Sequence, residues 1–344
     1  MLFEKVNIDK LLESCLSAEV PGLILALSNK NDNYLGSAGN LKPDSQFFIA
    51  STTKLYVTAL IMQMIDSRLL HLDDKITKFL PAHLTHGLHA FHKIDYTDQI
   101  TVQNLLSHTS GLPDYFQANR KSKKSLMNQV LSGEDQAWNL SQVIDDSKNI
   151  GAAFPPSSGK ALYSDTNYQL LGSIIENIYG LHFSEVLTEK ICKKIGLLNT
   201  YLYQNEFDLN PAPLNYKKTV LRIPKAMTSF GPDGGIVSNA SDGIRFLKSF
   251  FEGHLFEGKN IPILTSKWRN IFYPMKYGIG ISLFRLPWYF SPFKKVPDLI
   301  GHSGLSGAFY YFCPEKDLYL VGTVNQIANP QTSFKLMINA LLKS

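Results

Sequence analysis

The stretch Phe47-Phe48-Ile49-Ala50-Ser51-Thr52-Thr53-Lys54, continuing as Leu55-Tyr56-Val57-Thr58-Ala59-Leu60-Ile61-Met62-Gln63-Met64-Ile65, constrains this chain most. A short apolar lead-in reaches a serine and then a helix that is apolar nearly all round. Such a helix belongs in the centre of a protein, not on its surface. Ser51 falls where the helix starts, and Lys54 follows one turn later on the same face. The free backbone N–H groups and the dipole at that end favour negative charge, which suits a serine that must become a nucleophile. Ser-x-x-Lys also occurs at Ser157 and Ser291. Pro155 and Pro156 precede the second copy and Pro292 interrupts the third, so neither opens an apolar helix. Taken alone, the first copy also fits a plain N-cap serine beside a solvated lysine.

The rest of the chain is long enough to enclose such a helix. Its 344 residues suffice for one large domain or two ordinary ones, and 44% hydrophobic with 18% charged residues is a globular balance. A net charge of +5 does not by itself imply nucleic acid. The densest basic run, Arg120-Lys121-Ser122-Lys123-Lys124, has no interleaved aromatics and reads as a solvated loop, so no nucleic-acid partner is expected. Cys15, Cys192 and Cys313 are odd in number and lack metal-ligand spacing, so they read as reduced or buried thiols. His83, His86, His89 and His92 recur every third residue. That spacing drifts around a helix, and Gly87 argues against a regular one, so a polar loop is expected rather than a metal site. No apolar run reaches the roughly 18 residues of a membrane span. The start, Met1 to Asn7, lacks a signal peptide's apolar core. The expectation is a cytoplasmic protein as encoded, or a periplasmic or secreted one if a leader has been trimmed.

The order of elements suggests the architecture. Residues 3–17 approximate helical periodicity. Pro21 to Gly39 reads as a hairpin, with Gly22–Leu27 its buried strand. Thr101 caps a short helix, 116–150 looks helical and polar, Leu170–Ile178 is a buried helix, and further helices follow near 183–195. From about residue 220 strands return. Tyr277–Phe284, Gly307–Phe312 and Leu318–Val324 read as strands, Asn239–Phe251 as a helix, and 331–342 as a closing helix. Strands at both ends with helices between imply a sheet built from the two termini, and hence an α+β fold. We expect a single catalytic unit, 1–344, with an α/β lobe at 1–70 plus 222–344 and a helical lobe at 71–221.

Three motifs in this order carry a resemblance: Ser51-Thr52-Thr53-Lys54, Tyr163-Ser164-Asp165 and His302-Ser303-Gly304. They resemble the Ser-x-x-Lys, Ser-Asp-Asn and Lys-Thr-Gly set of penicillin-recognising serine hydrolases. The tyrosine form resembles the branch of class C β-lactamases, D-alanyl-D-alanine peptidases and esterases. Leu105–Leu112, Gly234–Ser238 and Gly301–Gly304 agree in order and spacing, and the likeness covers about residues 20–340. It implies a β-lactamase/transpeptidase-like fold, an antiparallel sheet flanked by helices with an inserted all-helical lobe. It also implies acyl-serine hydrolysis without metal or cofactor.

The residues are expected to act as follows. A serine hydroxyl needs a base, supplied by Lys54 if its pKa falls or by Tyr163 as phenolate, the proton being shared between the two. The family places Tyr163 as the proton acceptor on acylation. Backbone N–H groups of Ser51 and Leu305 would form the oxyanion hole. Asp165, Asn167, His302, Ser303 and Gly304 would bind substrate, with Gly304 letting it lie flat on an edge strand. Two departures from the family stand out. Asp165 occupies the usual asparagine position, and a carboxylate cannot donate; it binds Lys54 or a substrate amine. His302 replaces a lysine that grips substrate carboxylates, so β-lactam turnover should be weak. If His302 orients substrate, kcat/KM should titrate near pH 6–7. The substrates expected are small esters, amides or peptides, including D-amino-acid derivatives. The rivals are a D-alanyl-D-alanine carboxypeptidase or β-lactamase, and a non-catalytic ligand sensor. The aromatic loop 284–293 reads as an acyl-binding wall, a membrane-touching flap or a satellite core.

Overall fold

The computed structural model describes residues 2–119, 124–287, 296–327 and 329–343. Ser291, most of the basic run and most of the 284–293 loop lie outside the described residues. An eight-stranded sheet forms the scaffold. Its strands are β1 Gly22–Ser28, β2 Asn33–Gly39, β3 Arg269–Phe272, β4 Met275–Tyr277, β5 Ser282–Phe284, β6 Leu299–Ser303, β7 Ala308–Cys313 and β8 Leu318–Thr323. The order across the sheet is β3-β4-β5-β6-β7-β8-β1-β2, antiparallel throughout. The two ends of the chain meet where β1 pairs with β8, Ala26 opposite Val321.

Strand periodicity divides the core. Leu23, Leu25 and Leu27 point to one face of β1 and Ile24 and Ala26 to the other, as a period of two requires. The first face is covered by α1 Lys5–Ser14 and α8 Pro330–Lys343, through Ile8, Leu11, Leu12, Leu336 and Leu341. The second packs on α7 Ala240–Phe251 and on α2 Thr53–Asp66. Every residue of α2 from Thr53 to Met62 is buried, as an all-round apolar helix demands. Tyr56 of α2 stacks on Phe246 of α7 at 3.6 Å between ring centroids.

The region between the terminal parts supplies α3 Val102–Leu106, α4 Leu126–Leu131, α5 Leu140–Ile150 and α6 Asp165–Tyr179. Thr101 caps α3 by accepting from the Asn104 amide. α3 and α6 bury Leu105, Leu106, Leu170 and Ile174 in the same cluster as α2. Short ladders also occur here, at Ala90–Phe91 with Ile94–Asp95 and at Asn215–Tyr216 with Thr219–Val220, so the inserted region is not wholly helical. Two other expectations need correction. Residues 277–284 are not one strand: β4 and β5 are joined by a turn in which Gly280 takes φ +72°. The polar stretch 116–150 is helical only in α4 and α5, because its spacing buries no continuous stripe.

Candidate active site

Ser51 is placed by strands on one side and a helix on the other. Phe47 and Phe48 pair with Ser238 and Val237, and the Ile49 amide donates to the Ile236 carbonyl. The Ser306 hydroxyl donates to the Phe48 carbonyl at 2.6 Å. The chain must then turn sharply into a 3-10 turn, Ala50–Thr52, that runs into α2. Ala50 makes this turn at φ +47°, a left-handed conformation costing a non-glycine residue about 1–2 kcal/mol. Strain of this kind persists where surrounding structure fixes it, and here it sits next to the candidate nucleophile.

Lys54 is completely buried, and its ammonium has three oxygen atoms close by. It donates to Ser51 Oγ at 3.2 Å and to the Asp233 main-chain carbonyl at 2.6 Å, and forms an ion pair with Asp165 Oδ1 at 2.7 Å. Burial alone would push Lys54 down. Asp165, then Tyr163 and Asp233, outweigh it and hold the proton well above the usual lysine range. Tyr163 packs its ring 5.2 Å from the same ammonium, and its hydroxyl lies near enough to Ser51 and Lys54 for hydrogen bonding to both to favour the phenolate. Burial pushes the Tyr163 phenol up, Lys54 opposes this, and Asp165 adds to the rise. The resting site therefore holds an ammonium and a neutral phenol. The expected fall of both pKa values is not found, and the carboxylate of Asp165 opposes it in each case.

On the Tyr163 side, most polar side chains satisfy one another, His108 Nε2 being buried without a partner among the described residues. His302 is buried; its Nδ1–H donates to the Ser303 carbonyl at 2.8 Å, which leaves Nε2 to accept from Tyr277 at 3.0 Å. Burial, reinforced by Lys54, pushes His302 down to about 3. His302 is thus held neutral with both nitrogens engaged, which corrects the expectation that it grips substrate and titrates near neutrality. His108 stacks against Tyr163 with ring centroids 4.4 Å apart. Its Nδ1 accepts from the Ser164 amide at 3.1 Å, and burial holds it well below the usual histidine range. Asn167 is also turned away from substrate: its Oδ1 accepts from Ser110 and its Nδ2 meets His108. Ser303 Oγ bonds Tyr311 at 2.9 Å. Gly304 is needed for packing, since a Cβ there would lie 2.3 Å from the Ile49 carbonyl. β6 is not an edge strand, but its pairing with β5 ends at Gly301, and His302 and Ser303 pair with β7 alone.

Beside Ser51 a cavity opens, and Tyr163 is not among the residues lining it. Ser51, Asp165, Leu305, Ser306 and Asp233 contribute to its wall, and Phe116, Met127, Val130, Leu131, Met227 and Phe230 make most of it apolar. Sequence reasoning missed Asp233 as a site residue. It lies in the turn Gly231-Pro232-Asp233-Gly234-Gly235, where a carboxylate among glycines leading into a buried strand was the available signal. It also missed Asp114, which burial and then Asp165 push up to about 7. Among the described residues no group of three or more His, Cys, Asp or Glu could hold a metal ion; His83, His86 and His92 are exposed, while His89 is buried against the Phe154 carbonyl at 3.0 Å.

Comparison with known proteins agrees with this geometry. The family model described as Beta-lactamase matches residues 8–340. Penicillin-binding protein 4* of Bacillus subtilis is 30% identical over 181 residues, 51% of this chain and 34% of that protein. A putative D-alanyl-D-alanine carboxypeptidase of Escherichia coli K12 is 23% identical over 320 residues, 82% of this chain and 70% of that protein. The chain thus matches only about a third of the Bacillus protein's length. Among solved structures, D-amino acid amidase from Ochrobactrum anthropi SV3 superposes with a TM-score of 0.77 at 23% identity, covering 98% of both chains.

Proposed function

The chain belongs to the beta-lactamase family, and from that premise we propose that it is a serine hydrolase acting through an acyl-Ser51 intermediate on small amides and esters, D-amino-acid amides among them. The observation that carries this reading is the meeting of Ser51, Lys54 and Tyr163, from two distant segments, beside an apolar cavity to whose wall Ser51 contributes. Ser51 Oγ attacks the substrate carbonyl carbon while its proton passes to the Lys54–Tyr163 pair. The Ser51 and Leu305 amides receive the oxyanion. Tyr163, outside the cavity wall, returns the proton to the departing amine or alcohol. Water then attacks the ester carbonyl, giving up a proton to the same pair, and the acid leaves as Ser51 recovers its hydrogen. Because the pair rests fully protonated, it must first lose one proton, so kcat/KM should climb with pH above neutrality.

The D-alanyl-D-alanine carboxypeptidase and β-lactamase readings are less well supported. Their substrates present a carboxylate, yet none of the described residues lining the cavity is Lys, Arg or His, whereas two are carboxyls. Steady-state hydrolysis of nitrophenyl esters, D- and L-amino-acid amides and penicillins, compared between the wild type and Ser51→Ala, tests the proposal. Ester and amide turnover lost in Ser51→Ala supports it. Turnover that survives Ser51→Ala refutes the serine mechanism; efficient penicillin hydrolysis favours the β-lactamase reading; no turnover with any substrate favours a ligand sensor.

A further inference from the structure

Asp233 is a carboxyl with an unused atom. It is 1% exposed. Its Oδ2 accepts from Tyr115 at 2.8 Å and from Gln169 Nε2 at 2.9 Å, and its main-chain carbonyl holds Lys54. Oδ1 is buried with no partner among the described residues, although Asp233 contributes to the cavity wall. A buried polar atom left unpaired is destabilising, so it needs an explanation. Asp165 shows a related feature. Its Oδ1 is buried with no hydrogen-bond partner among the described residues and is held only by its ion pair with Lys54 at 2.7 Å, and it too lines the cavity.

We propose that Asp233 and Asp165 together form the receptor for a free ammonium group on the acyl part of the substrate, so that the enzyme selects amides and esters whose α-amine is unblocked. This rests on the serine-hydrolase reading and deepens it. Three observations lead there. Tyr163, which releases the leaving group, is not among the residues lining the cavity, so the cavity is left for the acyl part. Ser51 and Asp165 both contact the Lys54 ammonium, so a carboxylate lies one ammonium away from the attacking oxygen, a spacing that fits an amine on the carbon next to the carbonyl. Beyond the two carboxyls the wall is apolar, which suits the side chain of such an aminoacyl group. Burial, then Asp165, holds the Asp233 proton well above the usual carboxylate range, with Lys54 opposing. An arriving ammonium displaces that proton to solvent and leaves a paired carboxylate. The added positive charge also eases proton loss from Lys54 and Tyr163.

The test compares kcat/KM for phenylalanine 4-nitroanilide with its N-acetyl derivative, in both stereochemical forms, and uses 4-nitrophenyl butyrate to report Ser51 chemistry without an amine. The wild type should prefer the free amine by about tenfold or more, and Asp233→Asn should lower that ratio by about tenfold. Phenethylamine should inhibit butyrate hydrolysis competitively at a concentration at least about tenfold lower than phenethyl alcohol, which tests the wild type even if the variant does not fold. Butyrate turnover with no free-amine preference and equal inhibition by amine and alcohol overturns the ammonium receptor while leaving the serine mechanism intact. Absence of butyrate turnover and of any Ser51 acylation overturns the underlying reading instead.

Discussion

The two flanks of Ser51 differ in how far their polar side chains are paired. On the Tyr163 flank, His302, Tyr277 and Tyr168 form one hydrogen-bonded chain closed on the Ser303 carbonyl, and His108 and Asn167 bond each other, with His108 Nε2 the one atom of this group buried without a partner among the described residues. On the cavity flank, neither Asp165 Oδ1 nor Asp233 Oδ1 has a hydrogen-bond partner among the described residues, Asp165 Oδ1 being held by its ion pair with Lys54 alone. Saturated polar groups fix geometry, whereas unpaired ones await a partner. The difference teaches that the first flank is there to orient Tyr163 and the second to receive substrate, although both are lined by residues of the three motifs.

The contrast breaks most sharply at Tyr163, the one member of the closed flank assigned to the chemistry. Tyr163→Phe should lower kcat by about 10²–10⁴-fold with KM changed only a few-fold. An unchanged kcat would make Tyr163 another wall residue. Next in size is the charge on the open flank. The wild-type kcat/KM should rise from pH 7 to 9.5 without the inflection near pH 6–7 that a titrating His302 would give. Asp165→Asn removes a charge that holds protons on both Lys54 and Tyr163, so the rising limb should move to lower pH by about 1–3 units. A limb that stays in place would detach Asp165 from the base.

Stability should also separate His302 from Asp114, a buried carboxyl next to Asp165, by about 1 kcal/mol per pH unit for each fully buried group. His302 has a folded pKa of about 3, below its unfolded value near 6.5, so its contribution is present above 6.5 and lost as pH falls toward 3. Asp114 has a folded pKa of about 7, above an unfolded value near 3.9, so its contribution is present below 3.9 and lost as pH rises toward 7. Urea denaturation across pH 4–8 should therefore show His302→Asn reducing the loss at the acid end and Asp114→Asn reducing the loss approaching neutrality. Identical profiles for the two variants would erase the distinction. The smallest effect expected is at Ala50, between the flanks. Ala50→Gly relieves the left-handed turn and should raise stability by about 1 kcal/mol in the same assay; a loss would mean that the φ of +47° carries no strain.

Much of this framework was legible in the sequence. The central helix declared itself because apolar residues on every side of a helix permit only a buried position, and the terminal strands because buried period-two runs sit at both ends of the chain. The motif order placed Ser51, Lys54 and Tyr163 together. The 277–284 segment misled because a continuous apolar run hides a two-glycine turn. His302 and Asn167 misled for a different reason. Their roles depend on partners 25 and 57 residues away, Tyr277 and Ser110, and residue type alone does not say whether a polar side chain is already occupied. Asp233 was invisible for the converse reason: an unpaired oxygen is a property of the surroundings, not of an aspartate in a glycine-rich turn.

The decisive measurement is peptide mapping by mass spectrometry after brief reaction with 4-nitrophenyl butyrate and an acid quench. One butyryl group on Ser51, absent from Ser51→Ala and accumulating when Tyr163→Phe slows deacylation, is the expected result. Acylation elsewhere, or hydrolysis that proceeds while Ser51 stays unmodified in every variant, would contradict an acyl-serine mechanism at this site.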